Sequence, residues 1–346
     1  MDTLRSTPKL TKPKKILFLV ICYLFLALLL FVGVELILRL KGYRPWRPEE
    51  VRMQVSPGGT FFVKHPTLGY SHIPGKFTVT LATGYSFNVT HLPNTLRITH
   101  PLDSYDGARK KEEIWIFGCS FTHGWSLNDE ETYPWLLQER FPAYEVVNFG
   151  VSAYGTIHSL IQFRNELEMR RPKVAVLAYA SFHDGRNTFL RSRRKNLARW
   201  NKLGLLDQPY ARMVGEANLR YSMAKVEYAE FPLMRYLALA HFIEVTYNRL
   251  ENKLYRSHAV SEALVKDMAR LAKKHDVKFV VAGISKAHNT LAMLYFAQEN
   301  GIPSVDIAVE PLAEHTNLPH DGHPSAIANK KYADKLEAYL KAEILK

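Results

Sequence analysis

The stretch Ile114-Trp-Ile-Phe-Gly-Cys-Ser-Phe-Thr-His-Gly124 carries the clearest fold signal in this chain. Four consecutive apolar residues that end at Gly118 are typical of a short strand buried on both faces. Ser120 follows at once, between two glycines, where a chain leaving such a strand turns into a helix. The stretch therefore predicts a strand of a parallel sheet with a serine hydroxyl at its carboxyl end.

Strand and helix patterns alternate on the C-terminal side of this stretch. Apolar runs predict strands at 146–148, 173–180, 277–284 and 302–307, and amphipathic patterns predict helices at 132–141, 157–171, 264–272, 291–299 and 325–345. This alternation implies an open parallel sheet covered by helices on both faces. We expect an α/β domain over residues 111–346, with a three-layer α/β/α, flavodoxin-like parallel sheet.

The carboxyl ends of strands are where open parallel sheets place their functional groups. The second predicted strand runs into the glycine-containing turn 148–155, and the third runs into the polar segment 181–187. The turn 319–325 lies just before the last helix and supplies Asp321 and His323. We expect these segments to meet near Ser120.

These residue types suit nucleophilic attack on a carbonyl. A serine hydroxyl needs a neighbouring base, the base needs an acid that fixes its tautomer, and the developing oxyanion needs N–H donors. Ser120, His323 and Asp321 are the candidates for nucleophile, base and acid. The donors would come from Ser120 itself and from the oxyanion-binding candidates Gly150, Ala153, Gly155 and His183.

The ordered set of segments resembles the SGNH/GDSL family of serine esterases and acyltransferases. The resemblance covers about 110–190 and 260–346. Gly118 to Gly124 is similar to the family's Gly-Asp-Ser block, Asn148 to Gly155 looks like its second block, and His320-Asp-Gly-His-Pro324 looks like its last. It implies the SGNH hydrolase fold, a membrane-tethered bacterial type, and catalysis by Ser120 with His323.

Four departures from the family pattern are visible. Cys119 replaces the usual Asp before the nucleophile, and Ala153 stands where a glycine is expected. His183 replaces the Asn whose amide donates to the oxyanion, although an imidazole N–H can donate as well. The position three before His323 is His320, so the acid is Asp321 by similarity to the alginate-acetylation branch. Asp184 is interpreted as structural.

The N-terminal region predicts a membrane anchor. Residues 16–34 carry no charge, and the apolar run extends to 40 after a basic tail at 1–15. About 20 apolar residues span a bilayer as a helix. A cleaved signal peptide is the competing interpretation, but its apolar region would be shorter. Five basic residues precede the span and five follow it, so the distribution of positive charge does not decide the orientation. We favour a single-pass protein with a cytoplasmic N-terminus and an extracytoplasmic catalytic domain.

Residues 41–110 contain short alternating runs, such as 77–81 and 85–89, that predict a small juxtamembrane β-rich stalk. We find no chemistry in this region.

The net charge of +13 is concentrated in two places. One is the flank of the anchor. The other is 185–202, where seven basic residues and no acid open a mostly helical insertion at about 185–258. A solvated or membrane-facing helix is the simplest explanation; an electropositive cap would place Arg186 and Arg191 toward an anionic substrate. Nucleic acid is not an expected partner of a tethered domain.

Cofactors and metals are not expected. Two cysteines form no zinc pattern, and the spacing of His315, His320, Asp321 and His323 fits no standard zinc site.

The sequence thus predicts a membrane-anchored serine esterase or O-acyltransferase acting on an acyl ester of an envelope glycan or lipid. Hydrolysis and transfer stay open. The alternative is a catalytically weak module of the same fold that binds glycan or a membrane-bound acyltransferase partner.

Overall fold

The computed structural model describes residues 11–48, 53–104, 111–199, 203–216 and 218–345. The chain forms two compact units. The first combines residues 1–49 with 229–249, and the second combines 50–228 with 250–346. The basic tail at 1–10 and part of the basic stretch, at 200–202, lie outside the described residues.

The first unit contains the N-terminal helix α1, Lys12–Leu40. Its most apolar window has a mean hydropathy of 3.1 and none of it is buried, so length and composition allow it to cross a bilayer. The Glu35 carboxylate accepts the backbone N–H groups of Ala238 and Leu239 at 2.9 and 2.8 Å. Glu35 thereby caps the start of the helix Ala238–Leu254, and Arg39 contacts the same carboxylate at 2.7 Å.

The other elements follow in chain order. The strands are β1 Met53–Ser56, β2 Phe62–His65, β3 Gly69–His72, β4 Gly75–Leu81, β5 Ser86–His91, β6 Glu112–Phe117, β7 Tyr144–Asn148, β8 Val174–Tyr179, β9 Asp207–Val214, β10 Asn218–Lys225, β11 Lys278–Gly283 and β12 Ser304–Asp306. The helices are α2 Ser120–His123, α3 Tyr133–Arg140, α4 Thr156–Leu167, α5 His183–Asn187, α6 Arg191–Arg199, α7 Ala238–Leu254, α8 Ser257–Lys274, α9 His288–Glu299 and α10 Ala326–Tyr339.

The centre of the second unit is a five-stranded sheet in the order β7-β6-β8-β11-β12. All its pairings are parallel, and Ile114 of β6 lies opposite both Val146 and Val174. Numbered along the chain, this order is 2-1-3-4-5, which is the flavodoxin-like order. The predicted fold class is confirmed.

Two apolar cores lie on opposite faces of this sheet. In one core, the odd-numbered residues of β6 and β8, such as Trp115 and Leu177, pack against helices α4, α8 and α9. The other joins Ile116 and Val176 to helices α3 and α10. Because strand side chains alternate between faces, the buried residues 114–117 of β6 and all of β8 contact one core or the other, and this explains the continuous apolar runs.

From residue 53 onward, the described part of the β-rich region belongs to the same compact unit as the central sheet. Strands β1, β4 and β5 form an antiparallel sheet, and β2 pairs with β3. Arg97 bridges His91 to Asn148 at the edge of the central sheet. Phe61, Phe87 and Val89 enclose Trp125, which follows the segment that carries Ser120.

The insertion is less helical than predicted. Strands β9 and β10 pair as an antiparallel hairpin over Asp207–Val214 and Asn218–Lys225. Alternating residues of this hairpin, such as Ala211 and Leu219, pack on the first core. Arg212, between Ala211 and Met213, lies opposite Arg220 of the neighbouring strand.

Candidate active site

Ser120 is buried at the start of the short helix α2, directly after β6. Two glycines allow the surrounding segments to approach closely. A methyl group on Gly118 would lie 2.1 Å from Thr122 Oγ1, and one on Gly150 would lie 2.4 Å from the His123 nitrogen. Neither contact is sterically allowed, so the tight turn after β6 requires Gly118, and the close approach of the turn after β7 to that segment requires Gly150.

Ser120, His323 and Asp321 lie in one hydrogen-bonded row. His323 Nε2 is 3.0 Å from Ser120 Oγ. On the other side of the ring, Nδ1 contacts Asp321 Oδ1, which also accepts the His323 backbone N–H at 2.7 Å. This double contact explains how an acid only two residues before the histidine can reach its ring. The geometry allows proton transfer from the serine hydroxyl to the imidazole.

Asp321 has a second donor. Trp125 Nε1 donates to its other oxygen, Oδ2, at 3.0 Å. Burial by itself raises the pKa of Asp321, but the hydrogen bonds and charge of His323 and the bond from Trp125 outweigh it, so the pKa lies below its usual value. The carboxylate is therefore ionised at neutral pH and can hold the Nδ1–H tautomer of His323.

Most amides in the turn after β7 have acceptors within the fold. The N–H of Gly150 donates to Asn148 Oδ1 at 2.9 Å, and that of Gly155 donates to His158 Nδ1 at 3.2 Å. Tyr154 donates to Val151 at 3.1 Å. The amides of Gly150 and Gly155 thus already donate within the fold, and their predicted role as oxyanion donors stays a prediction.

The amides of Ser120 and Ala153 differ, since neither donates to an acceptor within the described ranges. Ala153 has φ = +66°, a conformation that disfavours a Cβ and explains why a glycine is expected there. Both residues line the cavity described below. They are the best placed of the predicted oxyanion donors.

Three side chains hold the carbonyls of this turn. The Tyr70 hydroxyl donates to Ser152 O at 2.7 Å, Arg193 donates to Ala153 O at 2.6 Å, and Arg186 donates to Tyr154 O at 2.8 Å. A carbonyl and the following N–H point in opposite directions across one peptide plane. Tyr70 therefore fixes the direction of the Ala153 N–H.

His183 is fully buried, and its Nδ1 lies 3.4 Å from Thr156 Oγ1. Nε2 has no hydrogen-bond partner in the described part of the chain. Burial, helped by the nearby charge of Arg186, lowers the pKa of His183 well below its ordinary value. The ring is neutral, so it can donate from one nitrogen only.

Asp184, next to His183, is buried and accepts from several groups. His258 Nδ1 lies 3.0 Å from Oδ2, Asn289 Nδ2 lies 2.8 Å from the same oxygen, and Ser261 Oγ lies 2.6 Å from Oδ1. The Tyr179 hydroxyl also contacts Oδ1. These bonds tie α5 to β8, α8 and α9, as a structural residue would.

A cavity of about 250 Å³ opens beside Ser120 and His323. Its lining is largely apolar, with two guanidinium groups on one side; the lining includes Phe62, Trp125, Leu197, Leu206, Arg186 and Arg193. Arg186, predicted to face substrate, does line it. Arg191 does not belong to its described lining: its backbone N–H bonds Glu251 at 2.7 Å, and its guanidinium lies 4.6 Å from the Tyr228 ring.

Sequence reasoning missed Tyr70, Phe62 and Arg193. Arg193 had a signal in the basic stretch, but one residue along a helix rotates a side chain by about 100°. Without the phase of α6, the choice between Arg191 and Arg193 was undetermined. Tyr70 and Phe62 had no signal, because only tertiary packing brings β2 and β3 to this cavity.

Within the described ranges, the side chains that lie close enough together to hold a metal ion do not include His315, His320 or His323. They are His72, His91 and His123, all buried.

Comparisons with known proteins give structural matches only. No protein-family model and no curated protein matches the chain. Solved structures that match include one titled TesA, with 13% identity, a TM-score of 0.40, and coverage of 66% of this chain and 98% of that one. A putative lipolytic protein of the G-D-S-L family from Desulfitobacterium hafniense shares 13% identity, with a TM-score of 0.39 and coverage of 66% and 100%. The psychrotrophic esterase EstA from Pseudoalteromonas sp. shares 12%, with a TM-score of 0.39 and coverage of 68% and 100%.

Proposed function

We propose that this chain is a membrane-anchored serine hydrolase of the SGNH type, in which Ser120 is the nucleophile, His323 the base and Asp321 the residue that orients the base. The carrying observation is the row from Ser120 Oγ through both His323 nitrogens to Asp321, at the mouth of a cavity. An uninvolved serine at a helix start would have no reason to face a histidine that is itself paired with a carboxylate.

The proposed reaction has two stages, acylation of Ser120 and transfer of the acyl group to a second hydroxyl compound. Ser120 Oγ bonds to the ester carbonyl carbon while its proton passes to His323 Nε2, and the carbonyl oxygen becomes an oxyanion. When the C–O bond breaks, the same proton goes to the leaving alcohol, and the acyl group remains on Ser120. A second hydroxyl compound then gives its proton to His323 and accepts the acyl group, which restores Ser120.

The oxyanion would be held by the N–H groups of Ser120 and Ala153, both of which lack acceptors within the described ranges. His183 Nε2 is the third candidate donor. This requires the tautomer with hydrogen on Nε2 and Thr156 donating to Nδ1, and their 3.4 Å separation allows only a weak bond. Preorganised donors of this kind contribute about 3–4 kcal/mol each to lowering a barrier.

The cavity supports an ester with an apolar acyl group as substrate. Its volume of about 250 Å³ lies below the usual range of drug-sized ligand sites, roughly 300–1,000 Å³, so a short acyl chain fits better than a long one. Arg186 and Arg193 line one side of the cavity and would favour an anionic group on the rest of the substrate. An acylated envelope glycan or lipid satisfies both conditions.

Helix α1 supports anchoring, because its apolar window is long enough for a bilayer and unburied. With the N-terminus in the cytoplasm, the second unit would act outside it. A protease-protection experiment on membrane vesicles tests this orientation: inverted vesicles would protect the second unit, and protease access to it there would reverse the assignment.

The central test is covalent labelling by a fluorophosphonate, which reports an activated serine. We expect labelling of the full-length, detergent-solubilised protein and its loss in Ser120→Ala. Ser285→Ala is the matched control, since Ser285 also follows a central strand, β11, but its hydroxyl is hydrogen-bonded to Thr290 Oγ1 at 2.8 Å. Labelling that persists in Ser120→Ala contradicts the assignment.

The second candidate is a catalytically weak module of the same fold that binds glycan or an acyltransferase partner. The replacement of the expected Asn by His183 favours it. Turnover of p-nitrophenyl acetate separates the candidates: an active wild type and inactive Ser120→Ala support the enzyme, whereas equal inertness with retained glycan binding supports the module. Transfer is recognised by an acylated sugar product when an acceptor is added.

A further inference from the structure

Three buried histidines meet next to helix α2, which also carries Ser120. His72 ends β3, His91 ends β5, and His123 ends α2, three residues after Ser120. Their residues are 0%, 3% and 0% exposed. One ring nitrogen from each lies within 4.8 Å of those from the other two. The proposed reaction uses none of them.

The outer nitrogens of two rings are already committed to backbone carbonyls. His72 Nδ1 lies 3.3 Å from Thr95 O, and His91 Nδ1 lies 3.2 Å from Ile73 O. A carbonyl can only accept, so both Nδ1 atoms carry the hydrogen and both Nε2 atoms present lone pairs. Histidines that bind metals usually have this arrangement, with the second N–H on a carbonyl or carboxylate.

The inner nitrogens are not satisfied by one another. His91 Nε2 and His123 Nε2 are 3.1 Å apart, which accounts for one hydrogen bond. His72 Nε2 and His123 Nδ1 then have no partner within the described ranges, although both are buried. Buried polar atoms without partners are rare, and they are a known sign of an ion or a water.

The positive charge of Arg97, which lies beside the cluster, is compensated. Its Nε contacts Asp129 at 2.9 Å. Its other nitrogens donate to the carbonyls of His123, Gly124, Leu127 and Asn88 at 2.6–3.2 Å. A cation in the cluster would therefore face a neutralised pair rather than a bare guanidinium.

We propose that His72, His91 and His123 form a binding site for one divalent ion of borderline softness, with Zn²⁺ as the best match. Three neutral imidazoles and one further ligand, such as water, complete the four-coordinate geometry that zinc prefers. The site joins two strands of the β-rich region to the helix that carries Ser120. The ion thus has a structural role: it holds β3, which also carries Tyr70, next to the active site.

Binding requires a definite ring movement. The His72 and His91 rings stack at 4.0 Å with an angle of 3° between their planes, while His123 is tilted by about 41–42° to both. A metal bound to nitrogen lies close to the plane of each ring. One of the stacked rings therefore rotates on binding, and the parallel stack is lost.

The test uses full-length protein in detergent, freed of any histidine tag and of metal by chelation. Reconstitution with Co²⁺, a spectroscopic substitute for zinc, should give a four-coordinate visible absorption spectrum at one ion per chain. Zn²⁺ in excess of its dissociation constant by about a hundredfold should raise Tm by several degrees. Both readouts are independent of esterase activity and therefore of the proposed function.

His91→Gln should abolish the Co²⁺ spectrum, and His288→Ala, which removes an exposed histidine, should leave it unchanged. If His91→Gln does not fold, the wild-type stoichiometry decides by itself. A wild-type protein that binds less than about a tenth of an equivalent, with no Tm change, overturns the proposal, and the cluster then holds water or stands as a neutral stack.

Discussion

The second unit contains two histidine–aspartate pairs that look alike at the carboxylate and differ beyond it. In both, a histidine Nδ1 bonds an aspartate oxygen: His323 with Asp321, and His258 with Asp184. The opposite nitrogen of His323 meets Ser120 Oγ at 3.0 Å, whereas that of His258 faces Glu262 at 3.6 Å. A histidine–aspartate pair by itself therefore does not identify a catalytic site. The role proposed for His323 depends on the contact of its Nε2 with Ser120.

The two carboxylates also differ in how many donors they serve. Asp321 accepts from His323 and Trp125, near a cavity, while Asp184 accepts from four side chains inside the fold. We therefore expect a substitution in the first pair to reduce activity and one in the second to reduce stability.

The largest effect is expected for Asp321→Asn. An amide cannot replace the carboxylate that fixes the Nδ1–H tautomer of His323, so kcat should fall by about 10³–10⁴-fold, with only a small loss of Tm at neutral pH. Esterase kinetics and a melting curve measure both, and Asp334→Asn, on an exposed ion pair with Arg140, is the control. A loss of less than tenfold would contradict the role given to Asp321.

The same variant has a predictable pH dependence. Because the pKa of Asp321 is lowered in the folded protein, its contribution to the free energy of unfolding is present above the unfolded-state pKa, about 3.9, and is lost as pH falls through the lower folded value. The stabilities of wild type and Asp321→Asn should converge in acid. Urea unfolding at several pH values measures this.

Asp184→Asn should lower the free energy of unfolding by about 3 kcal/mol, because an amide leaves buried donors without an acceptor. Activity per folded molecule should change by less than tenfold. Denaturant titration and active-site labelling separate the two quantities. A variant as stable as wild type but inactive would show that Asp184 acts in the chemistry.

Tyr70→Phe tests the proposed oxyanion donors rather than the histidine–aspartate pair. It keeps the ring but removes the hydroxyl that holds Ser152 O, so the Ala153 N–H loses its fixed direction. We expect kcat to fall about tenfold with KM nearly unchanged, since the oxyanion forms only after binding. Tyr295→Phe, at an exposed tyrosine, should have no effect. An equal change in KM would point to a binding role.

The smallest effect is expected for His258→Gln, about 1 kcal/mol. Burial disfavours the charged ring of His258, but the bond and charge of Asp184 outweigh it and raise its pKa. The pair therefore contributes fully below the ordinary pKa of about 6.5, and the contribution disappears as pH rises through the folded value. The stability difference should be larger at pH 6 than at pH 9; the reverse would contradict it.

The fold was predictable because its central strands are buried on both faces. A run such as Ile114–Phe117 leaves no polar position, and the helices show the complementary 3.6-residue pattern. The hairpin β9–β10 was not predictable, because both of its faces carry packed residues: Ala211 and Leu219 pack on the first core, and Tyr210 and Ala224 pack on a third apolar cluster.

The site was predictable where it is local and unpredictable where it depends on packing. Ser120 was predicted because it follows a strand, and Asp321 and His323 because they lie in a turn just before the last helix; their roles remain predictions. The hydroxyl of Tyr70 donates to the carbonyl of Ser152, which lies 82 residues later in the sequence. No spacing rule reports such a contact, nor does any distinguish the occupied amides of Gly150 and Gly155 from the open amide of Ala153.

The cap formed by Glu35 has a consequence for purification. Deleting the apolar helix is the usual way to obtain a soluble form of an anchored enzyme, and a start at residue 41 is the natural place to cut. Such a chain would lose the carboxylate that receives the Ala238 and Leu239 amides. Losing a cap typically costs about 1 kcal/mol. A solubilised form needs a substitute acceptor at that helix start, or it will unravel there first.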